Sequence, residues 1–178
     1  DGGHKAYRQY VREQLPLIKL PQKIYVLWGL TGVGKTEILQ KLQTDNYNVL
    51  DLEGLAQHRS SMFGAVGLLP RSQKMFESYL FKQLHELKDK NYLITEGESK
   101  KIGNAQIPDF LMHAIKKGVH IRVTLDIDER AKKTTKEYYQ DKKMIEQIKE
   151  IIPNTKQTVG SKNVDLMLKA LETKDFDT

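Results

Sequence analysis

The chain contains no cysteine. That excludes disulfides, thiolate metal sites and a thiol nucleophile from within it. No apolar run approaches the ~20 residues needed to span a bilayer, so no membrane partner is expected. The first residues, Asp1-Gly2-Gly3-His4-Lys5, are polar and lack the apolar stretch of a secretory signal, and the chain starts without Met. A cytoplasmic home, for a chain that reads as a fragment of something longer, is the expectation. There is no internal repeat, low-complexity tract or long linker. What is present is a 178-residue chain, 39% apolar, enough for one core with or without a helical appendage. Its formal charge of +6 favours anionic partners such as nucleic acid, and equally describes an ordinary basic surface.

Hydrophobic spacing divides the chain into alternating strands and helices. Ile24-Tyr25-Val26-Leu27-Trp28 reads as a strand buried on both faces, and Glu37 to Leu42 as a helix with Ile38, Leu39 and Leu42 inward. Val49 to Leu52 reads as a second strand and Tyr92 to Thr95 as a third; Ser72 to Leu87 between them follows helical spacing. Pro108 opens another helix that Gly118 closes, and Ile121 to Leu125 gives a fourth strand. Two apolar stripes follow, Met144, Ile145, Ile148 and Ile152, then Val164, Met167, Leu168 and Leu171, with Pro153 and Gly160 separating them. The pattern predicts an α/β, P-loop NTPase-like fold: a mainly parallel sheet flanked by helices, with a helical C-terminal region. The expected division is a linker or N-terminal helix over 1–21, the α/β domain over 22–130 and the C-terminal helices over 131–178.

The most specific local pattern is Gly29-Leu30-Thr31-Gly32-Val33-Gly34-Lys35-Thr36, a G-x-x-x-x-G-K-[ST] (Walker A) motif between a strand and a helix. Gly29, Thr31, Gly32, Val33 and Gly34 offer backbone N–H groups to phosphate oxygens, Gly32 and Gly34 by taking positive φ. The helix behind presents unpaired donors and its positive dipole end to the same anion. Lys35 adds a full charge, and the Thr36 hydroxyl is placed for a metal such as Mg²⁺.

Metal-dependent phosphoryl transfer also needs a carboxylate. Asp51, Glu53, Glu96 and Glu98 are candidates, and Asp51 and Glu96 end expected strands, where open α/β sheets carry their ligands. Either can equally cap the next turn. His58-Arg59-Ser60-Ser61 and the glycine-bearing run after it form a long polar loop of the kind that carries function. There His58 is a candidate hydrogen-bond or proton donor. Arg59, Arg71, Lys74, Lys100 and Lys101 are candidate anion contacts, or solvated charges. Asp126, Asp128 and Arg130 read as a lid-like cluster or as a helix start, with Asp128 the favoured N-cap. Trp28 reads as packing rather than base stacking.

Several blocks taken together resemble one family. Val49-Leu50-Asp51-Leu52-Glu53-Gly54-Leu55-Ala56-Gln57-His58-Arg59, with Ser61-Met62-Phe63-Gly64, is similar to the signature of tRNA 2-selenouridine synthase. Ser72 to Glu77, Glu98 to Gly103 and Ile107-Pro108 resemble further blocks, and Gly2 to Arg8 the segment joining that family's two domains. The likeness runs to about Arg130 and departs at Ser60, where the family pattern has glycine. It implies the P-loop half of an enzyme whose other half, a rhodanese domain in cis or in trans, bears a catalytic cysteine. That family geranylates the sulfur of wobble 2-thiouridine in tRNA with geranyl diphosphate, then exchanges the S-geranyl group for selenium from selenophosphate.

Carried onto this chain, the likeness implies a transferase with Lys35, Asp51, Glu96, His58 and Arg59 in catalysis and an optional Mg²⁺ at Thr36. Arg59, Arg71, Lys74, Lys100 and Lys101 are the implied tRNA contacts at the anticodon stem-loop. A geranyl groove is expected near Phe63 or Leu68-Leu69. A small-molecule kinase or NTPase, and a non-catalytic tRNA-docking module, stay open as alternatives at this point.

Overall fold

A computed structural model describes residues 2–21 and 23–173. Helix α1 (Gly3–Gln14) leads through a 3-10 turn (Leu15–Leu17) into strand β1 (Lys23–Trp28). Then follow α2 (Lys35–Thr44), β2 (Val49–Leu50), α3 (Leu52–Ala56), α4 (Gln73–Leu87) and β3 (Tyr92–Glu96). A short antiparallel hairpin, β4 (Lys101–Ile102) with β5 (Ala105–Gln106), precedes α5 (Asp109–Lys117) and β6 (Val119–Arg122). The chain ends in helices: α6 (Ile127–Tyr138), α7 (Lys142–Ile151), a 3-10 turn (Ile152–Thr155), α8 (Lys156–Val159) and α9 (Ser161–Thr173). Residues 174–178 of the expected helical region lie outside the described residues. Among the described residues, no helix is long and apolar enough to cross a membrane.

The main sheet runs β2-β3-β1-β6 and every pairing is parallel, as the β/α alternation predicts. Inner strand β1 sends Ile24 and Val26 to one face, where Leu50, Leu93, Phe76 of α4 and Leu111 and Ile115 of α5 meet them. Leu27 turns to the other face and packs with Leu39 of α2 and Val49. This is an α/β P-loop fold, with strand C-termini gathered at one edge. A separate apolar cluster joins Val66 and Phe63 of the 57–67 loop to Tyr138, Met144, Ile148, Ile152, Val164 and Leu171. The long loop therefore belongs to the C-terminal helices as much as to the sheet.

Four expectations need correction. The second strand stops at Leu50, because Asp51 accepts from the Gly54 N–H at 2.7 Å and starts α3 at once. The fourth strand lies two residues earlier than expected, over Val119–Arg122, since its ladder is set by Tyr25 facing Val119 and Trp28 facing Arg122. Its exposed edge position weakens the alternation that would have located it. Ile38, expected inward on α2, is exposed. The N-cap of α6 is Asp126, whose carboxylate accepts from Asp128 N–H at 2.9 Å, so Asp128 lies inside the helix and the expected boundary after 130 cuts through α6.

Candidate active site

The site grows from the turn between β1 and α2. Gly32 (φ 81°) and Gly34 (φ 91°) are both left-handed, as the motif requires, and Gly34 caps α2 without any side-chain acceptor. The first N–H groups of α2 have no intrahelical partner and point out of the helix end, which suits an anion. Lys35 spans the loop, its Nζ donating to the Gly29 carbonyl at 2.8 Å. The cleft in front measures about 620 Å³.

Behind the loop stands a chain of carboxylates. Thr36 Oγ1 donates to Glu53 Oε2 at 3.2 Å, and Glu53 Oε1 accepts from the Ser60 N–H. The Glu53 N–H in turn donates to Glu96 Oε1 at 2.8 Å. Glu53 and Glu98 line the cleft, whereas Asp51 and Glu96 do not. Asp51 caps α3, and Glu96, 1% exposed and paired in register with Leu27, supports Glu53 from behind. Burial pushes the Asp51 carboxyl up, and pushes Glu96 well above the ordinary range, with the nearby Asp51 charge adding to it. Burial likewise raises Glu98. Strand-end position pointed to Asp51 and Glu96. The carboxylate that touches Thr36 comes two residues after Asp51, in the first turn of α3.

The front wall is α6, which lies directly on the P-loop. Arg130 Nε donates to the Thr31 carbonyl at 3.0 Å, and Lys133 pairs with Glu37 of α2. Lys133, Lys136 and Tyr138 all line the cleft. Of these α6 residues, sequence reasoning singled out only Arg130; the signal for Lys133 and Lys136 was cations at helical spacing after Asp126.

The remaining candidates divide sharply. Arg59 lines the cleft, pairs through Nε with Glu137, donates to the Val66 carbonyl at 2.9 Å and lies 5.1 Å over the Tyr138 ring. His58 is turned away from the cleft and wedged between glycines: a Cβ on Gly64 or on Gly103 would come within 2.5 Å of its ring. Burial lowers its pKa. Arg71 donates to the Gly54 and Leu55 carbonyls at 3.3 and 3.0 Å and stacks on Tyr79. Lys74 and Lys101 are exposed, and Lys100 pairs with Asp109 at 2.6 Å on the outer face of the hairpin region. Trp28 packs its ring on His120, centroids 5.4 Å apart, and still contributes to the cleft wall.

Residues 22–172 match the tRNA 2-selenouridine synthase AAA domain. The chain belongs to this family. A tRNA 2-selenouridine synthase of Nitrosomonas europaea is 29% identical over 168 residues, covering 92% of this chain and 43% of that protein. Those of Sulfurovum sp. (34% over 140 residues; 77% and 37% covered) and Shewanella sediminis (41% over 110 residues; 61% and 29% covered) also match. The chain thus spans less than half the length of the curated relatives it matches. Among solved structures, AMPPCP-bound DnaA from Aquifex aeolicus aligns at 20% identity and a TM-score of 0.32, covering 99% of this chain and 62% of that one. A likeness that low carries no argument. Membership in the family rests on the sequence match, and the fold on its own topology.

The buried carboxyl of this family member gives a direct test of the site's electrostatics. Because Glu96 has a raised pKa in the fold, its protonated form is the stabilising one. Its contribution is present below the ordinary value of 4.5 and is lost as pH rises through the folded value. A Glu96→Gln variant is therefore expected to melt progressively higher than the parent as pH is raised from 4.5 towards neutrality and beyond. Parallel melting curves across that range would show that Glu96 is not held neutral.

Proposed function

We propose that this chain is the P-loop half of a tRNA-modifying enzyme. It geranylates the sulfur of wobble 2-thiouridine with geranyl diphosphate, as part of 2-selenouridine synthesis. The observation that carries the proposal is that a family member presents, at one cleft, the left-handed glycine turn, the α2 N-terminus and Lys35. Those groups bind phosphate oxygens, and a departing diphosphate needs no more than they offer.

In the proposed step the thiouridine sulfur attacks the allylic carbon, and the C–O bond to diphosphate breaks as the S–C bond forms. The bonding pair leaves with diphosphate, and the base loses its N3 proton to solvent. Charge builds on the leaving group, so fixed N–H donors and a cation aimed there lower the barrier. The residues present fit Mg²⁺: the Thr36 hydroxyl and the Glu53 carboxylate are hard oxygen donors at the cleft. Among the described residues, no group of three His, Cys, Asp or Glu side chains is placed to hold a metal. Any ion there would take its remaining ligands from phosphate and water, and would neutralise diphosphate charge.

The tRNA anticodon stem-loop is the proposed acceptor, with Arg59 at the cleft and exposed Lys74, Lys100 and Lys101 contacting phosphates. Selenium transfer from selenophosphate falls to a rhodanese domain in cis or in trans, because this chain has no cysteine. This function belongs to the cytoplasm.

Mixing the chain with geranyl diphosphate and a 2-thiouridine stem-loop, then weighing the RNA, tests the proposal. A gain of one geranyl group is expected. An unchanged mass, with RNA and diphosphate binding confirmed in parallel, would overturn it in favour of a docking role. Mg²⁺-dependent turnover of ATP or GTP in place of transfer would instead favour a kinase.

A further inference from the structure

Next to the phosphate cleft lies a second cavity of about 770 Å³. It is within the ~300–1,000 Å³ range of small-molecule pockets. The two compartments share Thr31, Ser60, Ser61 and Tyr138 in their walls, so they adjoin at the P-loop. Their chemistry differs. The cleft is walled by Lys35, Lys133, Lys136 and acidic side chains, whereas the second cavity is polar along Arg130, Thr134 and Thr135 and apolar along Phe63, Ile148, Ile152, Met167 and Ala170. At its mouth Met62 is 43% exposed and Ile127 69% exposed.

Tyr138 forms the partition. It is 3% exposed, its hydroxyl is 2.7 Å from Ser61 Oγ, Arg59 lies over its ring, and Phe63 meets it edge-on with centroids 6.2 Å apart. Held on these sides, the ring stays in place as a fixed wall between a charged and an apolar room.

We infer that the second cavity seats the hydrocarbon tail of an amphiphilic diphosphate whose head lies at the P-loop, so that the C-terminal helices recognise the chain of the donor. The inference rests on the donor reading above and gives it a place. A nucleoside would find polar partners only on one side, at Arg130, Thr134 and Thr135 of α6, and would leave ribose hydroxyls or base edges against Ile148, Ile152 and Met167 unpaired, at a cost in binding energy. A short prenyl chain asks only for apolar contact. The expected groove near Phe63 falls on this cavity, whereas Leu69 is 87% exposed and takes no part in it.

Calorimetry on the 178-residue chain with inorganic diphosphate and with dimethylallyl, geranyl and farnesyl diphosphates tests this. Geranyl diphosphate should bind more tightly than inorganic diphosphate. Ala131→Trp, at an exposed position of α6 on the cavity wall, should weaken geranyl diphosphate by roughly tenfold, the scale of a lost apolar contact, and leave inorganic diphosphate unchanged. Ala170→Phe, on α9, should do the same, and a melting curve on each confirms that it folds. Retention of the geranyl preference in both folded variants would overturn the tail site while leaving the donor reading intact. Equal weakening of both ligands would overturn it too, since the helices would then act through the phosphates. A parent chain that binds geranyl diphosphate no better than inorganic diphosphate would remove the donor reading itself.

Discussion

Lys35→Ala is expected to weaken inorganic diphosphate binding and to lower the rate of the proposed geranyl transfer by about 100- to 1,000-fold, the usual cost of losing one preorganised partner of developing negative charge. Lys35 is the one charged side chain of the Gly29–Thr36 loop. Its ammonium is already in place across the loop, 2.8 Å from the Gly29 carbonyl. Two of the nearby cations are already engaged, Lys133 with Glu37 and Arg59 with Glu137. Lys35 is also the first residue of α2, where alanine is a good helix former, so the fold should keep its melting temperature. Lys35→Arg should rescue little, because a planar fork does not occupy the position of a compact ammonium. Calorimetry with inorganic diphosphate reads the first effect, and the RNA mass assay reads the second. A folded Lys35→Ala chain that binds diphosphate like the parent would mean the phosphates lie elsewhere, and the proposed function would go with them.

The parts of this site that local rules govern were legible in the sequence. Strand β1, the glycine turn and α2 lie where a buried β-branched run, a phosphate motif and helical spacing place them. The α7 and α9 stripes likewise show in a period of 3.6 residues, because each helix buries a single face. What was not legible is tertiary. Asp51 and Glu96 look catalytic because they end strands, yet Asp51 is taken up in capping α3 and Glu96 is buried behind Glu53. Only the turn of α3 brings Glu53 to Thr36. His58 sits in a family-like block, and its reason for being there is two glycines packed against its ring, a contact from 45 residues downstream in the case of Gly103. The α6 wall was hidden because a cationic helix face looks the same in sequence whether it meets water or a phosphate cleft. Its placement shows only in tertiary contacts, among them the close approach of Gly32 to the body of α6.

That contact can be broken by a single substitution. Gly32→Val places a Cβ 2.6 Å from Thr134 Oγ1 and 2.9 Å from the Arg130 carbonyl, at a φ of 81° that a β-branched residue resists. Left-handed strain costs about 1–3 kcal/mol. Overpacking against a helix backbone that cannot rotate away adds a similar ~1–3 kcal/mol. Together these take a large share of a stability of about 5–15 kcal/mol. The parallel change Gly34→Val is the control. Gly34 has a φ of 91°, yet its nearest neighbours, Lys133 Nζ at 2.9 Å and Glu37 Oε2 at 3.3 Å, are ends of flexible side chains. It should therefore carry the strain and escape most of the overpacking. The expected order of melting temperatures is parent, then Gly34→Val, then Gly32→Val. In the last, α6 should be lifted off the P-loop, lose the Arg130 bond to the Thr31 carbonyl and become sensitive to trypsin at Arg130, Lys132 and Lys133. Equal destabilisation by both substitutions, with α6 still protected, would show that α6 does not depend on Gly32. Lys133, Lys136 and Ala131 would then be held at the site by the remaining contacts of α6, Tyr138 with Ser61, Glu137 with Arg59 and Lys133 with Glu37 among them.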